Sequence, residues 1–272
     1  MVNSHSRLIF YGTYNRMTKI VLITGAAKRL GRIFALHFAR AGWDVAIHYG
    51  QSVSEAQAVV AEIMALGRRV VALQADLSDE AAVRKLLPQC AQALGVPNCI
   101  INNASRFEFD NAENINYLNL HAHISPNLAA PIVLAQALHA LLVNHSATQQ
   151  ACVINLLDQK LYNLNPDFLS YSLSKIALEG ASKMLAQALA PQLRVVGLAP
   201  GLTLPSYLQN EAQFAETHQL TPLGQSSTPE DLARAALFLA ESPAITGTTL
   251  VVDGGQHLQP MQRDISFYSE SR

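Results

Sequence analysis

The sequence predicts an α/β protein: a single doubly wound domain built on a mainly parallel, seven-stranded sheet. Three observations carry that expectation. Short apolar runs rich in β-branched residues alternate with longer helical patterns along the 272 residues. The runs are apolar almost throughout, as in strands buried on both faces. Half of the residues are hydrophobic and 14% are charged, enough apolar material for one sizeable core.

The elements follow in order. "KIVLIT" (19–24) is a strand, and "RLGRIFALHFARAG" is a helix ending at Gly42. "DVAIHY" (44–49) is the second strand, followed by the helix "SVSEAQAVVAEIMALG", opened by Ser52 or Ser54 and closed by Gly67. "RVVALQ" (69–74), "NCIINN" (98–103), "ACVINLL" (151–157), "LRVVGLAP" (193–200) and "TTLVVDGG" (248–255) are the other strands, most of them separated by helices. "TPEDLARAALFLAES" is a capped helix started by Thr228, Pro229 and Glu230. Residues 202–227 have no clear core pattern and read as a loop in which Tyr207, Phe214, His218 and Leu223 could line a pocket. Met17 stands directly before the first strand, so residues 1–16 read as a dispensable extension or a misassigned start, and 17–272 as the domain.

Several function classes are disfavoured. Net charge is −1 with scattered Lys and Arg, which argues against nucleic acid. No apolar run approaches the roughly 20 residues of a membrane span, and "MVNSHSRLIFYGTYNR" lacks an h-region and cleavage site. Cys90, Cys99 and Cys152 have neither metal-type nor redox-type spacing. They read as small core residues in a reducing compartment, the cytoplasm, and no metal is expected.

Two stretches carry chemistry. "LITGAAKRLGR" joins the first strand to the first helix. Gly25 permits a tight turn, Gly31 permits close approach, and the exposed amides of a helix start favour a phosphate beside Lys28 and Arg29. A βα turn that binds nothing is the alternative. The second stretch is "CVINLLDQKLYN", a strand delivering Asp158 to the sheet edge where ligands bind. Downstream, "DFLSYSLSKIALEG" places Tyr171 and Lys175 four residues apart, on one face of a helix. A phenol titrates near pH 10, and a neighbouring ammonium favours phenolate, so Lys175 is expected to bring Tyr171 down. An ionised Asp158 only accepts hydrogen bonds and would repel a developing oxyanion. It suits a substrate with N–H donors or a ring nitrogen that needs a proton. A local cap is the alternative role for Asp158.

The first turn resembles the T-G-x-x-x-G-x-G turn of the short-chain dehydrogenase/reductase family, with Arg29 at the middle Gly. "TGAAKRLG", and "NNAS" followed two residues on by Phe107, are similar to pteridine reductases and dihydromonapterin reductases, and the resemblance runs from residue 19 to about 258. It implies a Rossmann fold and an NADP-dependent reductase acting on a dihydropterin, with dihydromonapterin or dihydrofolate going to the tetrahydro form. It implies a catalytic group of Asp158 (where most relatives carry Ser), Tyr171, Lys175 and Asn127, the last supporting a water relay. Asn119 competes for that place. Implied cofactor contacts are Gly25, Lys28, Arg29, Leu30 and Gly31 in the first turn, then His48, Tyr49 and Ser52 about the end of the second strand. Asp76 and Leu77, then Asn103, Ala104 and Ser105, follow the third and fourth strands. Tyr171, Lys175, Pro200 and Gly201 complete the set. Implied substrate contacts are Arg29, Ser105, Phe107, Asp158 and Tyr171, with Phe107 stacking on a flat ring.

No acid lies between Asp44 and Glu55, which favours NADP(H) over NAD(H), although Gln51 stands where pteridine reductases can show Arg. The family is mostly tetrameric, so a homotetramer is expected. The alternatives are a 3-oxoacyl or sugar ketone reductase on the same scaffold, and a catalytically silent NADP-binding sensor.

Overall fold

Seven apolar runs form the sheet. They are β1 (Ile20–Ile23), β2 (Asp44–Tyr49), β3 (Val70–Gln74), β4 (Cys99–Asn102), β5 (Ala151–Leu156), β6 (Leu193–Pro200) and β7 (Thr249–Val252). The computed structural model describes residues 19–144 and 150–270; the expected extension 1–16 and Met17 lie outside them. Every neighbouring pair is parallel, in the order β3-β2-β1-β4-β5-β6-β7. The direction of winding reverses between β1 and β4, which opens a crevice beyond their carboxyl ends.

The described residues form eight α-helices: α1 (Arg29–Arg40), α2 (Val53–Ala65), α3 (Glu80–Ala93), α4 (Tyr117–Ile124), α5 (Ala130–Asn144), α6 (Leu169–Ala188), α7 (Glu211–His218) and α8 (Pro229–Glu241). Strand periodicity divides the core into two layers. Val21, Ile23, Cys99, Ile101, Ile154 and Val196 face Phe34 and Phe38 of α1, Ile63 of α2 and Leu239 of α8. Leu22, Ile100, Val153 and Val195 face Leu86 and Cys90 of α3 and Leu134 and Leu138 of α5. Burying each of the Val, Leu, Ile and Phe side chains among them stabilises the fold by about 1.5–3 kcal/mol.

Two departures from the sequence expectations have local causes. Residues 202–227 contain α7, held by a capping box between Asn210 and Gln213. Its eight residues are too few to show an apolar face. A π-turn at Ser125–Ala129 joins α4 to α5, and the continuous helix Tyr117–Asn144 has the length and apolarity of a membrane span. In this fold it packs against α3 and α6. Its polar residues are spread along it, so no single uninterrupted apolar run appears in the sequence. The sheet itself is as expected, seven-stranded and wholly parallel among the described residues.

Candidate active site

The first turn is welded to the strands beside it. Gly25 has φ +63°, and a Cβ on Gly31 would lie 2.2 Å from the Gly25 carbonyl oxygen, so no side chain fits there. Asn103 donates its side-chain N–H to Thr24 O at 2.9 Å, while the Asn103 and Ala104 backbone amides donate to Thr24 Oγ1, each at 3.0 Å. His48 Nδ1 accepts the Gly25 N–H at 3.1 Å, which leaves Nε2 to donate to the Ala75 carbonyl at 3.1 Å. Burial lowers the His48 pKa and keeps this neutral tautomer.

A cleft of about 720 Å³ runs from this turn across the ends of β2, β3 and β4, lined by Gly25, His48, Asp76, Leu77, Ala104 and Ser105 among others. Gln51 lines it too. The glycine cradle and the cleft fit an extended phosphate-bearing ligand. Tyr49 packs on the core instead, and Ser52 is the N-cap residue of α2. The two cations of the turn are engaged elsewhere. Lys28 Nζ pairs with Glu55 at 2.5 Å and holds that carboxyl down to about 2. Arg29, at φ +50°, donates to the Pro205 carbonyl at 2.8 Å and so ties the first turn to the 202–227 segment.

A second cleft, of about 310 Å³, shares Ser105 with the first and holds both Asp158 and Tyr171. Arg29, Leu30, Phe107, Asp158, Tyr171, Pro200 and Gly201 line it. β5 brings Asp158 to the edge, and α6 brings Tyr171. The start of α6 is set by the buried Asp110, whose carboxylate accepts the Ser170 N–H at 2.9 Å and the Ser170 hydroxyl. Tyr171 Oη donates to Asp158 Oδ2 at 2.8 Å, while Asp158 Oδ1 accepts the Lys160 N–H at 2.8 Å. Asp158 therefore caps a turn locally and also meets the phenol.

The electrostatics correct one expectation. Lys175 does not bring the Tyr171 phenol down: burial first, then the Asp158 carboxylate, hold it well above the ordinary range. Lys175 Nζ donates to the Leu156 carbonyl at 2.6 Å and lies 5.6 Å from the Tyr171 ring centroid. Its own burial pushes it down to about 8. Asp158 is raised, mainly by burial. Phe107 stacks on the buried Phe168 with centroids 4.2 Å apart and meets Tyr171 edge-on at 4.7 Å.

Asn127 sits in the π-turn, a frequent device at functional sites. Its Oδ1 accepts the Arg106 N–H at 2.8 Å, and its Nδ2 donates to Arg106 O at 2.9 Å and Ser174 Oγ at 3.0 Å. The side chain is thus a clamp on the 103–107 loop. Asn119 lies earlier, within α4. None of Tyr207, Phe214, His218 or Leu223 lines either cleft; Leu202, Thr203, Leu204 and Ser206 do instead. Gln159, Gln256 and the C-terminal residues Asp264, Ile265 and Ser266 also line the second cleft and were not anticipated. The tail has no periodicity that could have shown it.

The chain is similar to several known oxidoreductases. A family model described as enoyl-(acyl carrier protein) reductase matches residues 25–257. An uncharacterized oxidoreductase of Mycobacterium tuberculosis is 34% identical over 244 residues, 87% of this chain and 91% of that protein. A 3-oxoacyl-[acyl-carrier-protein] reductase of Synechocystis sp. is 30% identical, covering 87% of this chain and 96% of its own. Among solved structures, FolM alternative dihydrofolate reductase 1 from Brucella canis, complexed with NADP, superposes with a TM-score of 0.83. It is 35% identical and covers 91% of this chain and 97% of its own. With its Gly turn, its Tyr171/Lys175 pair and these matches, the chain belongs to the short-chain dehydrogenase/reductase family of oxidoreductases.

Proposed function

We propose that the chain is an NADPH-dependent pteridine reductase that converts a dihydropterin, dihydromonapterin or dihydrofolate, to its tetrahydro form. The observation that carries this reading is the 2.8 Å hydrogen bond from Tyr171 Oη to Asp158 Oδ2. A ketone reductase needs a donor for its oxyanion at this place, whereas a carboxylate accepts. The phenol, held protonated by burial and by Asp158, is a proton donor for a ring nitrogen. When bound, NADPH supplies the hydride to the carbon of the C=N bond. Tyr171 releases its proton to the nitrogen, and Asp158 orients the hydroxyl. Phe107 offers a flat wall to the heterocycle, Ser105 joins the two clefts, and Asn127 holds the loop that carries both.

The Gly25–Gly31 turn would hold the cofactor phosphates, with Leu30, Asp76 and Leu77 along its length and Asn103, Pro200 and Gly201 toward the reacting end. NADPH is favoured because β2 is followed by no acid before Glu55, and the Brucella canis relative is a complex with NADP. A homotetramer is supported by the exposed Leu118 of α4 and the exposed Ile176 and Met184 of α6. A cytoplasmic site is in keeping with three buried free cysteines.

A 3-oxoacyl thioester reductase is the second reading, favoured by the Synechocystis relative. NADPH oxidation measured with dihydromonapterin, dihydrobiopterin, dihydrofolate and acetoacetyl thioester separates the two. Preference for the dihydropterins is expected; preference for the thioester removes the proposal.

A further inference from the structure

The segment after β7 grips the stretch between Asp158 and Tyr171 at four points. The Met261 N–H donates to Asn163 Oδ1 at 3.2 Å. Arg263 Nε and the Asp264 N–H donate to Asp167 Oδ2 at 2.8 and 2.7 Å. Phe267 lies nearly parallel to Phe168, with ring centroids 6.1 Å apart. The fourth point is an ion pair between Lys160 Nζ and Asp264 Oδ2 at 3.1 Å.

Lys160 is a buried cation that the proposed chemistry does not use. Its side chain is 4% exposed and that of Asp264 14%. The ammonium also donates to the Asp167 carbonyl at 2.6 Å and lies 5.3 Å from the Phe168 ring centroid. A buried charge is costly unless it is paired and hydrogen-bonded, so these contacts pin the tail. The same residue holds Asp158 through its backbone N–H, at 2.8 Å. Asp264, Ile265 and Ser266 line the substrate cleft and not the first cleft.

We propose that the Lys160–Asp264 pair is a strut that makes the C-terminal tail a wall of the substrate cleft and positions Asp158 against Tyr171. Lys160 is a positioning residue, and Asp264 sets the charge facing the substrate. The inference rests on Asp158 and Tyr171 as the reacting pair, and not on the identity of the substrate. Tyr171 and Lys175 face Asp158 from α6, Lys160 from the turn, and Asp264 from the tail, with Arg29 in the same cleft. Lys160 favours the ionised Asp158, and Asp264 opposes it. Their removal should therefore move Asp158 in opposite directions, which a merely structural defect would not do.

The test uses the full chain with Lys160→Met, Lys160→Arg and Asp264→Asn. Kinetics against pH are read on whichever of dihydropterin or acetoacetyl thioester the wild type reduces. Amide hydrogen exchange of residues 160–168 is followed in parallel. Asp264→Asn should raise the substrate KM about tenfold and leave the NADPH KM within about twofold. The acid limb of kcat should move up in Lys160→Met and down in Asp264→Asn, by about half a pH unit each. Lys160→Arg should restore the wild-type limb, and exchange should accelerate in Lys160→Met and Asp264→Asn. Limbs that stay or move together, a cofactor KM that rises with the substrate KM, or unchanged exchange would each overturn the strut. A wild type active only on the thioester removes the pterin reading and leaves this test intact. A wild type active on neither leaves hydrogen exchange to decide.

Discussion

Replacing Asp158 with Asn removes one charge at nearly constant shape. The carboxylate accepts two hydrogen bonds, from the Lys160 N–H and the Tyr171 hydroxyl, both at 2.8 Å. The single carbonyl oxygen of Asn cannot take both from opposite sides, and bonds to charged groups contribute about 1.5–3 kcal/mol each. Relief of a desolvated charge offsets part of that loss, so the fold should persist. The chemistry should not. A positioned proton-handling group contributes about 10²–10⁴-fold, and kcat on dihydropterin should fall by about 10²–10³-fold. NADPH affinity should stay within about twofold, because Asp158 lines the second cleft and not the first. The Tyr171 phenol should titrate at lower pH, since the carboxylate stands second only to burial in raising it. Stopped-flow single turnovers give the rate, cofactor fluorescence gives the affinity, and ultraviolet difference titration follows the phenol. A turnover rate within about threefold of wild type with intact NADPH binding would refute the assignment. Loss of turnover and cofactor binding together would show a collapsed site instead of a missing charge.

Three further outcomes follow from the geometry. Gly31→Ala brings a Cβ to 2.2 Å from the Gly25 carbonyl oxygen, so NADPH binding should be lost and thermal stability should drop; retention of both in melting and titration experiments contradicts the close approach. Glu55→Gln releases Lys28 from its 2.5 Å ion pair, so the ratio of kcat/KM for NADPH over NADH should rise a few-fold, and an unchanged ratio separates Lys28 from the 2′-phosphate. Lys175 titrates at about 8 when folded and at 10.5 as a free side chain, so between those values the unfolded chain holds a proton the folded one has shed. Unfolding free energy should rise across that window by about 3 kcal/mol relative to Lys175→Met and gain nothing below pH 8; urea titrations with a flat difference would disprove this.

Much of the fold was legible because its signals are local. β2 and β6 appear at the expected residues, and the other strands differ by one to three residues at their ends. Gly25 and Gly31 mark the turn in one short stretch, and the thirteen-residue spacing of Asp158 and Tyr171 is realised as a direct hydrogen bond. The charges were less legible. Lys28 beside Arg29 reads as a bare cationic turn, yet Glu55 and the Pro205 carbonyl occupy them from other elements. The Tyr171–Lys175 spacing puts both on one helix face, but the sign of the phenol's shift depends on desolvation and on Asp158, neither of which is a property of the helix.

The sequence by itself determined the sheet, the winding and the residue types at its ligand edge, because burial on two faces demands unbroken apolar strands and tight turns demand glycine. Only the tertiary structure decided which groups meet there. The tail residues Asp264 to Ser266 reach a cleft that residues as far back as Arg29 also line, and Lys160 finds Asp264 across 104 residues. Such contacts have no period and no motif, since they arise where loops from different crossovers converge beyond the sheet. Asp158 was visible as an acid at the end of a strand; its partners, its raised pKa and the wall that faces it belong to the folded chain.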